Sequence, residues 1–145
     1  MNMMLKRLYN DSQIPTHANP YDAGWDLYAH LDEDHKILPG ETAMIGTGIA
    51  VALPTGTFGG IFARSGLASK HGLRPANCVG VIDSEYRGEV IVALHNDSED
   101  AYVVKDGERI AQLIVLPYVP VDIVFVDDLD STNRGSGGFG STGEM

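Results

Sequence analysis

Short apolar segments recur along this chain, most of them closed by turn-forming residues, and their side chains alternate with a period of two. Ile49, Val51 and Leu53 alternate with Ala50 and Ala52; Val90, Val92 and Leu94 alternate with Ile91, Ala93 and His95. Successive side chains of a strand point to opposite faces, so this spacing predicts strands. The predicted strands are residues 5–8, 25–29, 42–45, 49–53, 58–63, 79–82, 90–95, 102–104, 109–116 and 121–126. Pro39-Gly40, Pro54-Thr55-Gly56, Asn96-Asp97 and Asp106-Gly107 punctuate them with residues that favour turns. Residues 66–71 form the only helical candidate, a turn or two at best. Without strand–helix alternation, a parallel α/β sheet is excluded. The expected fold class is all-β, a jelly-roll-like barrel or sandwich with at most one short helix.

Hydrophobic residues make up 43% of the chain and charged residues 21%, a balance that lets 145 residues fold around one soluble core. No internal repeat is visible. The C-terminal segment differs in kind. Five glycines stand among residues 134–143, and ordering glycine is entropically costly, so the segment builds no stable strand or helix alone. Frayed termini are common. A purely idle tail, however, has little need of Arg134 and Phe139 among its glycines, since Arg pairs with phosphate and Phe stacks on a base. The expected organisation is a β domain over residues 1–126 and a flexible lid segment of the same domain over 127–145.

The net charge of −10 argues against a general nucleic-acid binder, which needs a broad basic surface. It leaves room for a small polyanion bound by a local group of arginines. Cys78 is the single cysteine and forms no internal disulfide. No apolar run approaches the roughly 18 residues of a membrane span, and residues 1–5 are too short for a secretory segment. No membrane association and a reducing, cytoplasmic setting are expected.

Several motifs mislead. Gly135-Ser136-Gly137-Gly138-Phe139-Gly140 matches G-x-G-x-x-G, but the helix and strand of a dinucleotide fold have no room after it. The same stretch lacks the lysine of a P-loop. His17, His30, His35, His71 and His95 show no metal-ligand spacing. Ser65, His71 and Asp83 lack the G-x-S-x-G elbow of a hydrolase triad.

Five other stretches carry more. They are Ala23-Gly24-Trp25-Asp26-Leu27; Ala63-Arg64-Ser65-Gly66-Leu67; Asn77 with Gly80-Val81-Ile82-Asp83-Ser84-Glu85-Tyr86-Arg87-Gly88; Gly107-Glu108-Arg109-Ile110-Ala111-Gln112-Leu113; and residues 134–143. In order and spacing they resemble the five motifs of the trimeric all-β dUTPase family, over nearly the whole chain. The resemblance implies hydrolysis of dUTP to dUMP and pyrophosphate, which keeps uracil out of DNA and supplies dUMP for dTMP synthesis. It also implies a homotrimer with sites shared between chains and Mg²⁺ as cofactor, while the acidic charge leads us to expect no nucleic-acid partner.

Residue roles follow from the same resemblance. Asp83 is the implied general base; taken alone it reads first as a turn residue bonding its own backbone. Tyr86 would pack on the deoxyribose and exclude a 2′-OH, or simply fill a strand surface. Val81, Ile82 and Asp83 would lie along the nucleoside on a hairpin, assisted by Asn77. Arg64, Ser65 and Gly66 would meet phosphates at the start of the short helix, where Ser65 is also a candidate N-cap. Gln112 would touch a phosphate, while Arg109 reads as structural. Asp26 is either near a metal–water network or a structural hydrogen-bonding group. Phe139 would stack on uracil and Arg134 reach phosphates, with Gly140 and Ser141 beside them. Mg²⁺ favours phosphate oxygens and waters, so it would be held mainly by the triphosphate. Two rival functions are a dCTP deaminase of the same fold and a dUTP-dependent regulatory protein that binds a partner.

Overall fold

A computed structural model describes residues 1–143, and the last two residues of the expected 127–145 tail lie outside it. The all-β expectation is met. Ten strands and one short helix follow one another: β1 (Met4–Arg7), β2 (Trp25–Tyr28), β3 (His35–Ile37), β4 (Thr42–Ala52), β5 (Thr57–Phe62), α1 (Ser65–His71), β6 (Leu73–Pro75), β7 (Gly80–Ile82), β8 (Glu89–Asn96), β9 (Tyr102–Val104) and β10 (Arg109–Pro117). Two four-stranded sheets, β1-β4-β8-β6 and β2-β10-β5-β7, and a two-stranded β3-β9 sheet make a jelly-roll-like sandwich. All the strand pairs are antiparallel.

The period-two pattern sets which side faces inward. In β8, Val90, Val92 and Leu94 are buried while Glu89, Ile91, Ala93 and His95 are not. They pack in one core with Leu27, Ile45, Ile49, Ile61, Leu73, Ile110 and Leu113, so both large sheets feed the same interior. Full burial of such a side chain contributes about 1.5–3 kcal/mol, which outweighs the weak intrinsic preferences of these short strands.

Four local expectations are corrected. The two strands expected over 42–45 and 49–53 are one, β4, which ends at Ala52, because Gly46, Thr47 and Gly48 make a register shift rather than a break. The Thr47 hydroxyl donates to the Val90 carbonyl at 2.6 Å, and the Gly48 N–H donates to the Glu89 carboxylate at 2.8 Å, which satisfies the irregular backbone. The predicted strand at residues 121–126 is absent. Val121, Ile123, Val124 and Phe125 are exposed there and pair with no strand of their own chain. The hairpin expected around residues 82–89 is a crossing: β7 pairs with β5 in one sheet, while β8 pairs with β4 and β6 in the other. Finally, the N-cap of α1 is Arg64, with no side-chain cap, and Ser65 is the first helical residue.

Candidate active site

The crossing between β7 and β8 builds the first part of the site. The backbone turns back on itself through a hydrogen bond from the Tyr86 N–H to the Asp83 carbonyl at 3.1 Å. The Arg87 guanidinium braces the same turn, donating to the carbonyls of Ser84 at 2.7 Å and Tyr86 at 3.1 Å. Asp83 is exposed, and among the described residues its carboxylate makes no hydrogen bond to the turn. The Tyr86 hydroxyl donates to the Glu89 carbonyl at 2.9 Å. That folds the ring over Gly88, where a Cβ would lie 2.6 Å from the tyrosine Cζ.

Asn77, Val81, Ile82, Asp83 and Tyr86 line one open cavity of about 300 Å³, together with Met44, Ile61 and residues 89–91. Val81, Asp83 and Tyr86 also border a larger groove of about 660 Å³, closed by Phe58 and Tyr118. Strand β7 is the edge of its sheet, so one side of its backbone has no strand partner. The turn leading into β7 is strained. Cys78 sits at φ 64°, and the Val79 N–H reaches back to the Asn77 carbonyl at 2.7 Å. A non-glycine residue in this tight turn costs energy, and such strain concentrates at functional sites.

A second cluster forms where β2, β5 and β10 run side by side. Pairing Gln112 with both Asp26 and Phe62 brings the expected residues together. Asp26 accepts from Arg64 Nε at 3.2 Å and from Arg109 Nη1 at 3.4 Å. Arg64 also donates through Nη1 to the Arg109 carbonyl at 3.3 Å. Gln112 Nε2 donates to the Ala63 carbonyl at 2.9 Å. Its side chain lies across Gly24, where a Cβ would overlap Gln112 Oε1 and come within 3.0 Å of Cδ. Asp26 thus bridges two guanidinium groups, those of Arg64 and Arg109. Behind the cluster, Tyr102 hydrogen-bonds Glu108 and packs edge-on against His71 of α1 at 5.1 Å. Burial, with help from the Glu108 carboxylate, pushes the Tyr102 hydroxyl up to about 12.

The tail folds on itself. Arg134 Nε donates to the Gly137 carbonyl at 2.9 Å, and the Ser141 N–H donates to the Gly138 carbonyl at 3.1 Å. Phe139 is fully exposed at φ 51°. Residues 133–134 and 137–142 line a hollow of their own. Neither cavity at Asp83 contains a residue of the Arg64 cluster or of this tail. One chain therefore presents three separate groups: the turn with Asn77, Val81, Ile82, Asp83 and Tyr86; Asp26, Arg64 and Gln112, with Ser65 and Gly66 opening the helix beside them; and Arg134, Phe139, Gly140 and Ser141.

These three groups lie inside a single matched region. A family model described as dUTPase matches residues 10–143. The chain belongs to the dUTPase family. A deoxyuridine 5'-triphosphate nucleotidohydrolase of Desulfitobacterium hafniense is 53% identical over 132 residues, covering 90% of this chain and 87% of the relative. One from Nautilia profundicola is 46% identical over 144 residues, covering 99% and 100%. The solved dUTPase of Staphylococcus bacteriophage 80alpha with dUPNHPP superposes with a TM-score of 0.89 at 30% identity, covering 99% of both chains. The sandwich described above is the dUTPase fold, and this chain is an enzyme of that family.

Two features of this candidate site escaped sequence reasoning. The Glu89 carboxylate braces the β4 irregularity while its carbonyl accepts from Tyr86, and nothing in its spacing distinguishes it from a surface acid. Cys78 carries the left-handed turn. A glycine there would have signalled that geometry, and a cysteine does not.

Proposed function

We propose that this chain hydrolyses dUTP to dUMP and pyrophosphate, with Asp83 as the general base. The observation that carries the reading is the Asp83 carboxylate: free of the turn it sits on, exposed, and grouped with Asn77, Val81 and Tyr86 around cavities at a sheet edge. The backbone of Val81, Ile82 and Asp83 would read the uracil edge, with Asn77 assisting. Hydrogen-bond mismatch rejects cytosine more strongly than size alone would. Tyr86, pinned over Gly88, would occupy the space a 2′-OH needs.

Asp83 takes a proton from a water molecule as the water oxygen bonds to the α-phosphorus. The bond to the bridging oxygen breaks, and pyrophosphate leaves with the electron pair. Arg64, Ser65, Gln112 and Arg134 would hold the phosphate charge. A side chain at Gly66 would meet no atom within 4 Å in the single chain, so its own packing does not demand glycine; close approach of a phosphate would. Phe139 would stack on the base, worth about 1–3 kcal/mol, with Gly140 and Ser141 closing beside it. Such a lid excludes bulk water from the reaction.

Both Asp26 oxygens face guanidinium groups, and no group of three or more His, Cys, Asp or Glu among the described residues could hold a metal ion. That donor set suits Mg²⁺ arriving on the triphosphate, with Asp26 reaching it only through water. When bound, Mg²⁺ would neutralise phosphate charge.

A homotrimer with shared sites is part of this proposal. Its support is that the three residue groups do not meet in one chain and that Val119, Val121, Ile123, Val124, Phe125 and Val126 are all exposed. No helix among the described residues is long and apolar enough to cross a membrane.

Asp83→Asn tests the reading. It should bind a non-hydrolysable dUTP analogue with near-normal affinity while kcat falls by about 10²–10⁴-fold. Near-normal kcat would remove Asp83 as the base.

A further inference from the structure

Asn77 does not lie on a strand. It stands on the short turn that carries the chain from β6 in one sheet to β7 in the other. Two features show that this turn is held rather than relaxed. Cys78, the next residue, is in the left-handed region at φ 64°. Its N–H donates to the Pro75 carbonyl at 2.9 Å, and the Val79 N–H donates to the Asn77 carbonyl at 2.7 Å. A strained turn persists only where its surroundings over-determine it.

The surroundings here are dominated by one side chain. The Arg74 Nη1 donates to the carbonyls of Pro75 at 3.1 Å and Ala76 at 3.4 Å, the two residues just before Asn77. The other side of the same guanidinium grips Asp97 at the end of β8, through Nε to Oδ2 at 2.5 Å and Nη2 to Oδ1 at 3.4 Å. Asp97 is held in turn by His95 Nε2 at 3.2 Å, and His95 Nδ1 meets the Thr42 hydroxyl of β4 at 2.8 Å. A planar fork can span a carboxylate and two carbonyls at once, which an ammonium cannot do. The result is a bridge from the edge of the β1-β4-β8-β6 sheet to the turn that lines the cavity with Asn77.

We propose that Arg74, clamped by Asp97, is a positioning residue for Asn77: its guanidinium holds the crossing turn that presents Asn77 to the nucleotide cavity. The inference rests on the dUTP reading given above. Arg74 does not line that cavity itself. It acts on binding through Asn77, not on the reacting atoms, so its loss affects KM and spares kcat.

The test is steady-state dUTP hydrolysis by the full chain as wild type, Arg74→Ala, Asn77→Ala and the double variant. Arg74→Ala should raise KM roughly three- to tenfold with kcat within about twofold. In the Asn77→Ala background the same change should leave KM unaltered. Asp97→Asn should raise KM in the same direction by a smaller factor. Arg74→Lys keeps the charge but loses the fork, so it should also raise KM, and it serves if Arg74→Ala fails to fold. The inference is overturned if Arg74 variants keep the wild-type KM, or if the fold-change is equal in both Asn77 backgrounds. Wild-type protein inactive on dUTP would bring down the functional reading and this inference together. An active wild type with an unchanged Arg74 variant would bring down this inference alone.

Discussion

The Tyr86 ring occupies the space that a side chain at Gly88 would need. A methyl group at position 88 would overlap the tyrosine hydroxyl and lie 2.6 Å from Cζ, so Gly88→Ala must swing the ring off the Glu89 carbonyl. If Tyr86 is the filter against ribose, that variant should lose discrimination: the ratio of kcat/KM for dUTP over UTP should fall by about tenfold or more, while Tm changes little. An unchanged ratio would mean that the sugar is read elsewhere. At this scale the sequence was legible only by resemblance. Asp83 taken by itself reads as a turn residue, and it does begin a turn; what the fold adds is that its carboxylate is not spent there. Arg74 and Cys78 carried no signal, because an Arg before a Pro and a Cys after an Asn reveal nothing about a guanidinium bridge or a left-handed turn.

Elements that bury an alternating face were legible in the sequence, and elements that owe their existence to a neighbour were not. Strand β8 was expected over residues 90–95 and runs Glu89–Asn96, because its inward side chains leave it one register. Strands β3 and β6 are three residues each, and β6 ends in Pro75, so neither shows a period. The hairpin expectation failed because adjacency in sequence does not decide which sheet a strand joins. The N-terminal segment is a further tie made by a neighbour. His30 Nε2 meets Asp11 at 2.9 Å, and its ring stacks on Tyr9 at 4.5 Å. The hydrogen bond to Asp11 raises the imidazole above its ordinary 6.5 and lowers the Asp11 carboxyl below its ordinary 3.8. A raised histidine value means stability fully present below 6.5 and lost as pH rises through the folded value. A lowered carboxyl value means stability present above 3.8 and lost as pH falls through the folded value. Wild-type protein should therefore lose Tm relative to His30→Gln as pH is raised from about 6 to about 8.5. Parallel Tm curves for the two proteins over that range would show that the pair contributes nothing.

For the whole molecule, the apolar stretch after β10 is the feature that one chain leaves unexplained. Residues 121–126 read as a strand because they form a short, mostly apolar run, yet Ile123 is 96% and Phe125 is 90% exposed. A sequence states that a segment can pair, not whether the partner edge belongs to its own chain. We expect that edge on a second copy, with the tail beyond it delivering Arg134 and Phe139 to a neighbour's turn. Light scattering should give three times the mass of the 15.6 kDa chain, and deletion of residues 119–145 should abolish the assembly. A monomer of full activity would contradict shared sites. Deletion from Arg134 onward should leave the assembly intact and collapse kcat. The central claim is that the β7–β8 turn reads uracil and deoxyribose and that Asp83 drives release of pyrophosphate. Its most direct measurement is product formation from equal concentrations of dUTP, UTP, dTTP and dCTP, with pyrophosphate and ammonia both assayed. The account predicts rapid pyrophosphate release from dUTP, little from the other three, and no ammonia from dCTP. Ammonia from dCTP, or comparable turnover of dUTP and UTP, would contradict it.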